Sequence, residues 1–129
     1  MTYLIDTHAI IWFMKGDSML SEKAREIILT DYKNCYISAV SFWEMAIKTN
    51  INKLDLGLPF EEVEKWAVEN GLSNFLHIEI PHTVILSQLP FHHRDPFDRT
   101  LIAQALSEDL TIITKEKLFE DYGVTRLWE

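Results

Sequence analysis

Hydrophobic residues along the chain occur in short continuous runs that alternate with segments of helical periodicity. The run 3–5 predicts a short buried strand, and the apolar residues after Ser21 recur at the spacing of an amphipathic helix with that serine as its N-cap. Pro59 and Gly71 stand where a helix begins and ends. The predicted strands are 2–6, 35–39, 75–80, 110–114 and 124–128, and the predicted helices are 7–15, 21–34, 40–54, 59–71, 81–89, one within 92–106, and 115–123.

This alternation determines the predicted fold class. Strands separated by helices pair in parallel and need helices on both faces of their sheet. We therefore predict an α/β fold, a three-layer α/β/α domain whose central, mainly parallel sheet has about five strands. The chain has 129 residues, 47% of them hydrophobic, with no linker, repeat or low-complexity tract. Residues 1–129 are accordingly expected to form a single domain.

The charge balance limits the classes of partner. The chain has 12 basic and 20 acidic residues, and the resulting net charge of -8 disfavours a broad basic surface for nucleic acid. Bound cations would make clustered carboxylates attractive to phosphate, so a protein that meets nucleic acid through metal is not excluded. A basic partner segment would also fit such a surface.

The cysteine content and the apolar runs indicate a compartment. The single cysteine, Cys35, cannot form an internal disulfide and lies in a predicted strand, so we expect a buried thiol in a reducing cytoplasm. The longest apolar run near the start, residues 9–14, is too short to span a bilayer and follows Asp6 and His8 instead of a basic segment. We expect neither a signal peptide nor a membrane span.

Acidic residues stand close to the ends of the predicted strands. Ligands of parallel α/β sheets bind outside the carboxyl ends of the strands, so these acids are candidates for a site. Carboxylates that converge there would supply the oxygen ligands that Mg²⁺ or Mn²⁺ needs, as in a two-cation hydrolase. The acids are Asp6 after the first strand, Glu44 in the helix after the second, Asp95 and Asp98 at the start of the helix before the fourth, and Glu116 after the fourth.

Each of these acids also has an ordinary explanation at the start of a helix. Asp6 stands at a strand-to-helix junction, and Ser41 with Glu44 matches a capping box. Asp95 precedes a proline, and Asp98 would be a first-turn acid favoured by the helix dipole. Glu116 also matches a first-turn acid. Capping explains any one acid more simply than a site does, but it does not explain why all of them stand at one edge of the sheet.

Glu44 distinguishes the two explanations best. Its neighbours 42–47 are otherwise apolar, so little of this helix segment is expected to face solvent. A buried ionised glutamate is costly unless something pairs with it, and a cation would do so. The five histidines show no zinc-ligand spacing and are expected at the surface or in hydrogen bonds. Dinucleotide, P-loop and nucleophile-elbow glycine motifs are absent.

Four stretches of the sequence together resemble a known family. YLIDTHAIIWF, ISAVSFWEMAIKTNINKL, HRDPFDRTLIAQAL and TIITKEKLFEDYGV are similar to the PIN-domain ribonucleases, specifically the VapC toxins of bacterial toxin–antitoxin pairs. The resemblance covers almost the whole chain, in the same order and at the same spacing. It implies that Asp6, Glu44 and Asp98 are the first three acids of the family's metal site. Glu116 stands where the family usually has an aspartate, and Asp95 is an additional acid of the DPFDR subgroup.

The resemblance also implies a mechanism and partners. Asp6 and Asp98 would hold Mg²⁺ or Mn²⁺, Glu44 would help bind it or orient the attacking water, and Glu116 would complete the site. The implied substrate is RNA, and the implied partners are an antitoxin and a second copy of the chain. Residues expected to support the site are Thr7, Ser38 and Thr114 through their hydroxyls, and Arg94 and Arg99 through substrate phosphate.

Two other classes of function stay open from the sequence. One is a catalytically silent PIN-like binding module, which the glutamate at position 116 makes conceivable. The other is a magnesium-binding receiver-type signalling domain, which is also an α/β protein with clustered acids. A receiver needs paired acids directly after its first strand, whereas here Ile5 precedes Asp6. Cleavage of RNA with and without Mg²⁺ would separate both from the nuclease.

Overall fold

The centre of the molecule is a parallel sheet of five strands. The computed structural model describes residues 1–129, and every strand pair in it is parallel. The strand order is β3-β2-β1-β4-β5. The number of strands and their parallel direction agree with the prediction. The strands are β1 (Tyr3–Ile5), β2 (Cys35–Ser38), β3 (Asn74–Leu76), β4 (Thr111–Ile113) and β5 (Arg126–Leu127).

Six α-helices connect the strands, and three short 3₁₀ helices accompany them. The α-helices are α1 (Thr7–Lys15), α2 (Glu22–Thr30), α3 (Ala39–Asn50), α4 (Val63–Glu69), α5 (Ile80–Gln88) and α6 (Pro96–Glu108). The 3₁₀ helices are Tyr32–Asn34, Phe60–Glu62 and Lys117–Tyr122. Several boundaries differ from the prediction. The helix predicted over 40–54 ends at Asn50, the one predicted over 59–71 is a 3₁₀ turn followed by α4, and the one predicted over 115–123 is a 3₁₀ helix. The helix predicted over 21–34 ends at Thr30, and the strand predicted over 75–80 ends at Leu76 because Ile80 already begins α5.

Alternate residues of the strands separate two hydrophobic cores, one on each face of the sheet. Tyr3 and Ile5 of β1 belong to the first core, which α1, α2 and α4 cover, while Leu4 belongs to the second. In β4, Ile113 and Ile112 divide in the same way. The second core is covered mainly by α6 and the 3₁₀ helix that follows β4. Helices thus cover both faces of the sheet, which gives the three layers of the predicted α/β/α fold.

The strand order reverses at β1, which lies in the middle of the sheet. The chain runs from β1 to β2 and β3 on one side, then returns to place β4 and β5 on the other. The crevice outside the carboxyl ends of β1 and β4 is therefore the expected ligand site of such a sheet. The register pairs Ile5 with Ile113, so Asp6 and Thr114 emerge side by side at that edge. A receiver domain has the order 2-1-3-4-5, so this topology argues against that alternative.

Cys35 lies in a strand and is buried, as predicted. The Cys35 side chain is buried in β2, and burial together with the charge of Asp31 raises the pKa of its thiol to about 12. Such a thiol stays protonated and unreactive at neutral pH. None of the helices combines the length and the apolar composition that a membrane crossing requires.

Candidate metal centre

Asp6 is buried at the junction of β1 and α1, with 3% of its surface exposed. It is the N-cap residue of α1, yet its side chain makes no capping hydrogen bond, so capping does not explain this acid. The Thr114 hydroxyl donates to Asp6 Oδ2 across 3.1 Å. Asp6 Oδ1 is buried and has no hydrogen-bond partner. One oxygen is thus held in place by a neighbouring strand end, and the other remains open for a ligand.

Glu44 is buried on α3, and only 2% of it is exposed. Helix α3 begins at Ala39 and is capped by Ser38, whose hydroxyl accepts the Val40 N–H. The capping box predicted for Ser41 and Glu44 is therefore wrong, because Glu44 lies in the second turn of the helix. Its Oε2 accepts a hydrogen bond from Lys48 Nζ at 2.5 Å, and its Oε1 is buried without a partner.

Asp95 and Asp98 differ in their roles at the start of α6. Asp95 is the N-cap residue, and its Oδ1 accepts the N–H groups of Phe97 and Asp98 at 2.8 and 3.2 Å. Asp98 lies in the first turn and is buried, with 9% of its surface exposed. Its Oδ2 lies 3.0 Å from His93 Nε2. Asp95 thus holds the helix start, and Asp98 is the acid that faces the other carboxylates.

The pKa values of two buried acids are raised, chiefly because the acids are buried and in part because other acids are near. The pKa of Asp98 is raised to about 8, chiefly by burial and in addition by the negative charges of Asp6, Asp95, Glu44 and Glu116. The pKa of Asp6 is raised to about 6, because burial and the charge of Glu44 outweigh the opposing effects of the neighbouring His8 and of the Thr114 hydroxyl. Carboxylates from three separate chain segments therefore share one low-dielectric site.

Glu116 lies at the rim of this cluster. It precedes the 3₁₀ helix after β4, is exposed, and lines a depression together with Asp6, His8 and Lys115. Its backbone N–H donates to the Thr114 hydroxyl, but its carboxylate forms no hydrogen bond or ion pair. Asp6, Glu44 and Asp98 are thus buried and interact electrostatically, whereas Glu116 is exposed in a depression that Asp6 also lines.

The sequence matches the family model described as PIN domain over residues 3–124. The chain belongs to the PIN domain family. This match covers almost the whole chain and all of the acids described above. No curated protein matches the sequence.

Three solved structures share the fold of this PIN domain. FitAcB from Neisseria gonorrhoeae has a TM-score of 0.72 at 18% identity and covers 98% of this chain and 96% of the other. DNA-bound VapBC from Salmonella typhimurium has a TM-score of 0.70 at 20% identity, covering 98% and 97%. VapBC2 from Rickettsia felis, bound to a DNA fragment from its promoter, has a TM-score of 0.68 at 16% identity and full coverage of both chains. At these identities the similarity shows the fold.

The hydroxyls predicted to support the PIN site do so in different ways. Thr114 donates directly to Asp6. The Thr7 hydroxyl shares a buried hydrogen bond of 2.8 Å with Ser41, which ties α1 to α3. Ser38 caps α3 and donates to Gln104 Oε1 at 2.6 Å. Only Thr114 contacts an acid of the cluster, and the other two fix the helices that carry the acids.

Neither Arg99 nor Arg94 forms a hydrogen bond or ion pair with an acid of the cluster. Arg99 Nη1 donates to the carbonyl oxygens of Pro90 and His93, and its guanidinium lies over the ring of Phe91. Its role in the structure is to hold the loop before α6. Arg94 is exposed in that loop and makes no hydrogen bond. The predicted contact of these arginines with substrate phosphate stays a prediction.

Two site residues were missed by the sequence analysis, Lys48 and His93. Lys48 follows Glu44 by four residues, a spacing that puts both on one helix face and could have been recognised. The His93 contact depends on the path of the loop before α6, because Nδ1 accepts the Asp95 N–H and thereby turns Nε2 toward Asp98. Trp43, beside Glu44, is also more exposed than predicted, at 55%.

The cluster fits a hard divalent cation by its donor chemistry. Oδ1 of Asp6 and Oε1 of Glu44 are buried carboxylate oxygens without a partner, an arrangement that is costly unless a cation or a proton is bound. No three Asp, Glu, His or Cys side chains converge as a complete ligand set, and one oxygen of Glu44 is bonded to Lys48. These acids therefore fit an ion such as Mg²⁺, which keeps several waters and takes one or two carboxylates.

Proposed function

We propose that this PIN domain is a metal-dependent endoribonuclease, the VapC-type toxin of a toxin–antitoxin pair, which hydrolyses RNA phosphodiester bonds. The observation that carries the proposal is the set of buried carboxylates of Asp6, Glu44 and Asp98, two of them with an unpartnered oxygen, at the topological switch point of the sheet. Ionised acids in such a place destabilise the fold unless a cation offsets their repulsion. A function that needs the cation would explain why acids stand in this place.

The acids of the candidate site would have different roles in binding the cation and the water. Asp6 and Asp98 would hold the cation, since both are buried and the negative charge of Asp6 raises the pKa of Asp98. Glu44 would offer its Oε1 to the cation or accept a hydrogen bond from the attacking water. Bound Mg²⁺ or Mn²⁺ supplies charge stabilisation at the phosphate and a more acidic water. Glu116, at the exposed rim, would act through water.

The positions of the ligands would be kept by their neighbours. The Thr114 hydroxyl fixes one oxygen of Asp6, so that Oδ1 stays available. Asp95 fixes the start of α6 and with it the direction of Asp98. These hydrogen bonds hold the carboxylates before the substrate arrives, and preorganisation of this kind is what favours the transition state.

The partners belong to the same proposal. The FitAcB and VapBC structures have this fold, and from the resemblance to VapC toxins we infer an antitoxin partner for this chain and a homodimer in the cytoplasm. The exposed apolar side chains of Trp43 and Ile47 on α3, and of Ile51 directly after it, are the kind of surface that a second copy would cover. A single domain over residues 1–129 is part of the proposal, and the strands and helices extend from Tyr3 to Leu127.

One observation favours a second candidate, a PIN-like binding module without catalysis. The carboxylate of Glu116 is exposed and bonded to nothing, so the fourth acid is not held in the cluster. A site with three acids could bind a cation without activating a water. The two candidates share the metal site and differ in turnover.

The experiment is an RNA cleavage assay with purified chain in EDTA, in Mg²⁺ and in Mn²⁺. We expect single-stranded RNA to be cut in either metal and to stay intact in EDTA. Glu44→Gln should lower the rate in Mg²⁺ by more than about 100-fold, and Glu64→Gln, an exposed acid on α4, should leave it unchanged. Metal binding without cleavage would favour the binding module, and cleavage in EDTA would contradict the metal-dependent mechanism.

A further inference from the structure

A polar cavity lies beside the carboxylate cluster, and Glu44 belongs to both. The cavity is about 250 Å³ in volume and is formed by α1, α3 and the segment after α3. Thr7 and Glu44 belong to its lining, so it opens next to the acids without containing Asp6 or Asp98. We call it the lysine cavity, because Lys15, Lys48 and Lys53 line it.

The three ammonium groups have hydrogen-bonding capacity to spare. Lys48 uses a donor on Glu44, and Lys15 Nζ donates to the carbonyl oxygen of Asp55 at 2.8 Å. The Lys53 side chain makes no hydrogen bond or ion pair, and both Lys15 and Lys53 are exposed. Each ammonium carries three N–H donors, so a ligand with several acceptor oxygens could satisfy them together. Phosphate is such a ligand.

Three lysines around one cavity are unusual in a chain with so negative a net charge. The net charge is -8, and the sequence holds only eight lysines, of which three surround one cavity. The acids in its lining are both engaged, since Asp17 accepts the Met19 N–H and Glu44 accepts from Lys48. An anion that approaches this otherwise acidic protein therefore meets its donors beside the carboxylate cluster.

We propose that the lysine cavity binds a backbone phosphate of the nucleic-acid strand, next to the phosphate that is hydrolysed at the carboxylate cluster. The inference rests on the proposed function for the identity of the strand. Lys15 and Lys53 hold the neighbouring phosphate and set the position of the strand along the acids. Because they contact a part of the substrate that does not react, they contribute to binding and not to the chemical step.

The test compares the double variant Lys15→Gln/Lys53→Gln with a matched control, Lys33→Gln/Lys65→Gln. The control changes the net charge equally at exposed lysines outside the cavity. Binding of an end-labelled single-stranded RNA in EDTA is followed by fluorescence anisotropy over a range of salt, and the KM and kcat of cleavage are measured in Mg²⁺. Circular dichroism verifies that both variants are folded.

The cavity variant should bind RNA about tenfold more weakly. Its slope of log affinity against log salt concentration should be smaller than that of the control by about 0.7, the value for one phosphate on a single strand. In cleavage its KM should rise while kcat is retained. Equal RNA affinity, salt slope and KM in the two variants would overturn the proposal. The proposal would also be overturned if polyglutamate competed with the labelled RNA as well as unlabelled RNA does. That result would assign the cavity to an acidic polypeptide.

The outcomes also separate this inference from the proposed nuclease function. RNA that is cleaved normally, with the same KM in the cavity and control variants, would contradict the phosphate site and leave the nuclease intact. RNA that is never cleaved in any metal, but loses affinity in the cavity variant alone, would contradict the nuclease and support the binding site.

Discussion

Lys48 Nζ lies 2.5 Å from Glu44 Oε2, one turn further along α3, and links the carboxylate cluster to the lysine cavity. Partial burial lowers the pKa of Lys48, but the hydrogen bond and the charge of Glu44 raise it more, so the net shift is upward. The ammonium therefore acts as a counter-ion fixed in the protein. A divalent cation at Glu44 has to share this carboxylate with Lys48.

Replacing Lys48 by methionine should destabilise the metal-free protein. Glu44 would then be a buried acid with no hydrogen bond to either oxygen, and the free energy of unfolding should fall by about 1–3 kcal/mol. Mg²⁺ should recover more stability in this variant than in the parent chain. Urea unfolding with and without Mg²⁺ measures both effects. Lys65→Met, which removes only an exposed pair with Glu69, should change stability by less than about 0.5 kcal/mol.

The stability of the metal-free protein should fall as the pH rises. The pKa values of Asp6 and Asp98 are raised from 3.8 to about 6 and about 8, so the folded state binds these protons more tightly than the unfolded state does. The contribution of the two acids is thus largest below the unfolded pKa and is lost as the pH passes about 6 and about 8.

The measurement is urea unfolding in EDTA across this pH range. Asp98→Asn should remove the fall between about pH 6 and about pH 8, and Mg²⁺ should stabilise the parent chain most at the alkaline end. A free energy of unfolding that rises steadily with pH in EDTA would show that the pKa values of the two acids are not raised in the folded protein.

Asp95 and Asp98 should respond differently to the same substitution. Asp95→Asn should have little effect because asparagine also caps a helix, whereas Asp95→Ala should lose about 1 kcal/mol of stability. Asp98→Asn should abolish cleavage with almost no loss of stability. Cleavage rates and melting temperatures of the three variants test this division. An Asp95→Asn protein that is folded and as inactive as Asp98→Asn would mean that both acids bind the metal.

Glu116 should matter less than the buried acids. Its carboxylate is exposed and bonded to nothing, so Glu116→Gln should weaken Mg²⁺ binding and cleavage by a smaller factor than Glu44→Gln does. Isothermal titration with Mg²⁺ and cleavage rates for both variants give the comparison. Equal losses would place Glu116 in the site when the cation is bound.

Much of the fold was predictable because its elements have strong local signals. The apolar run of β1 followed by the periodic segment of α1 predicted both boundaries of that helix, and Ser21 caps α2 as expected. The capping residue of α3 was not predictable, since Ser38 and Ser41 are both good caps locally. Packing decides between them, because Ser41 is needed for the buried contact with Thr7.

The acids of the candidate site were identifiable from the sequence, but their surroundings were not. Asp6, Glu44 and Asp98 stand at strand ends or in an apolar helix, and such positions are visible without a structure. The contact of His93 with Asp98 depends on the path of the loop before α6. The lysine cavity depends on the approach of α1 to α3. No local sequence pattern encodes either feature.

The central claim is that the buried carboxylates form the catalytic metal site, and Asp6→Asn tests it most directly. The measurement is the rate at which purified Asp6→Asn protein cleaves single-stranded RNA in Mg²⁺, beside Asp121→Asn as an exposed acid of equal charge change. We predict a loss of more than about 100-fold for Asp6→Asn, with a melting temperature in EDTA at or above that of the parent chain. Asp121→Asn should cleave normally. Unchanged cleavage by folded Asp6→Asn protein would contradict the assignment of this site.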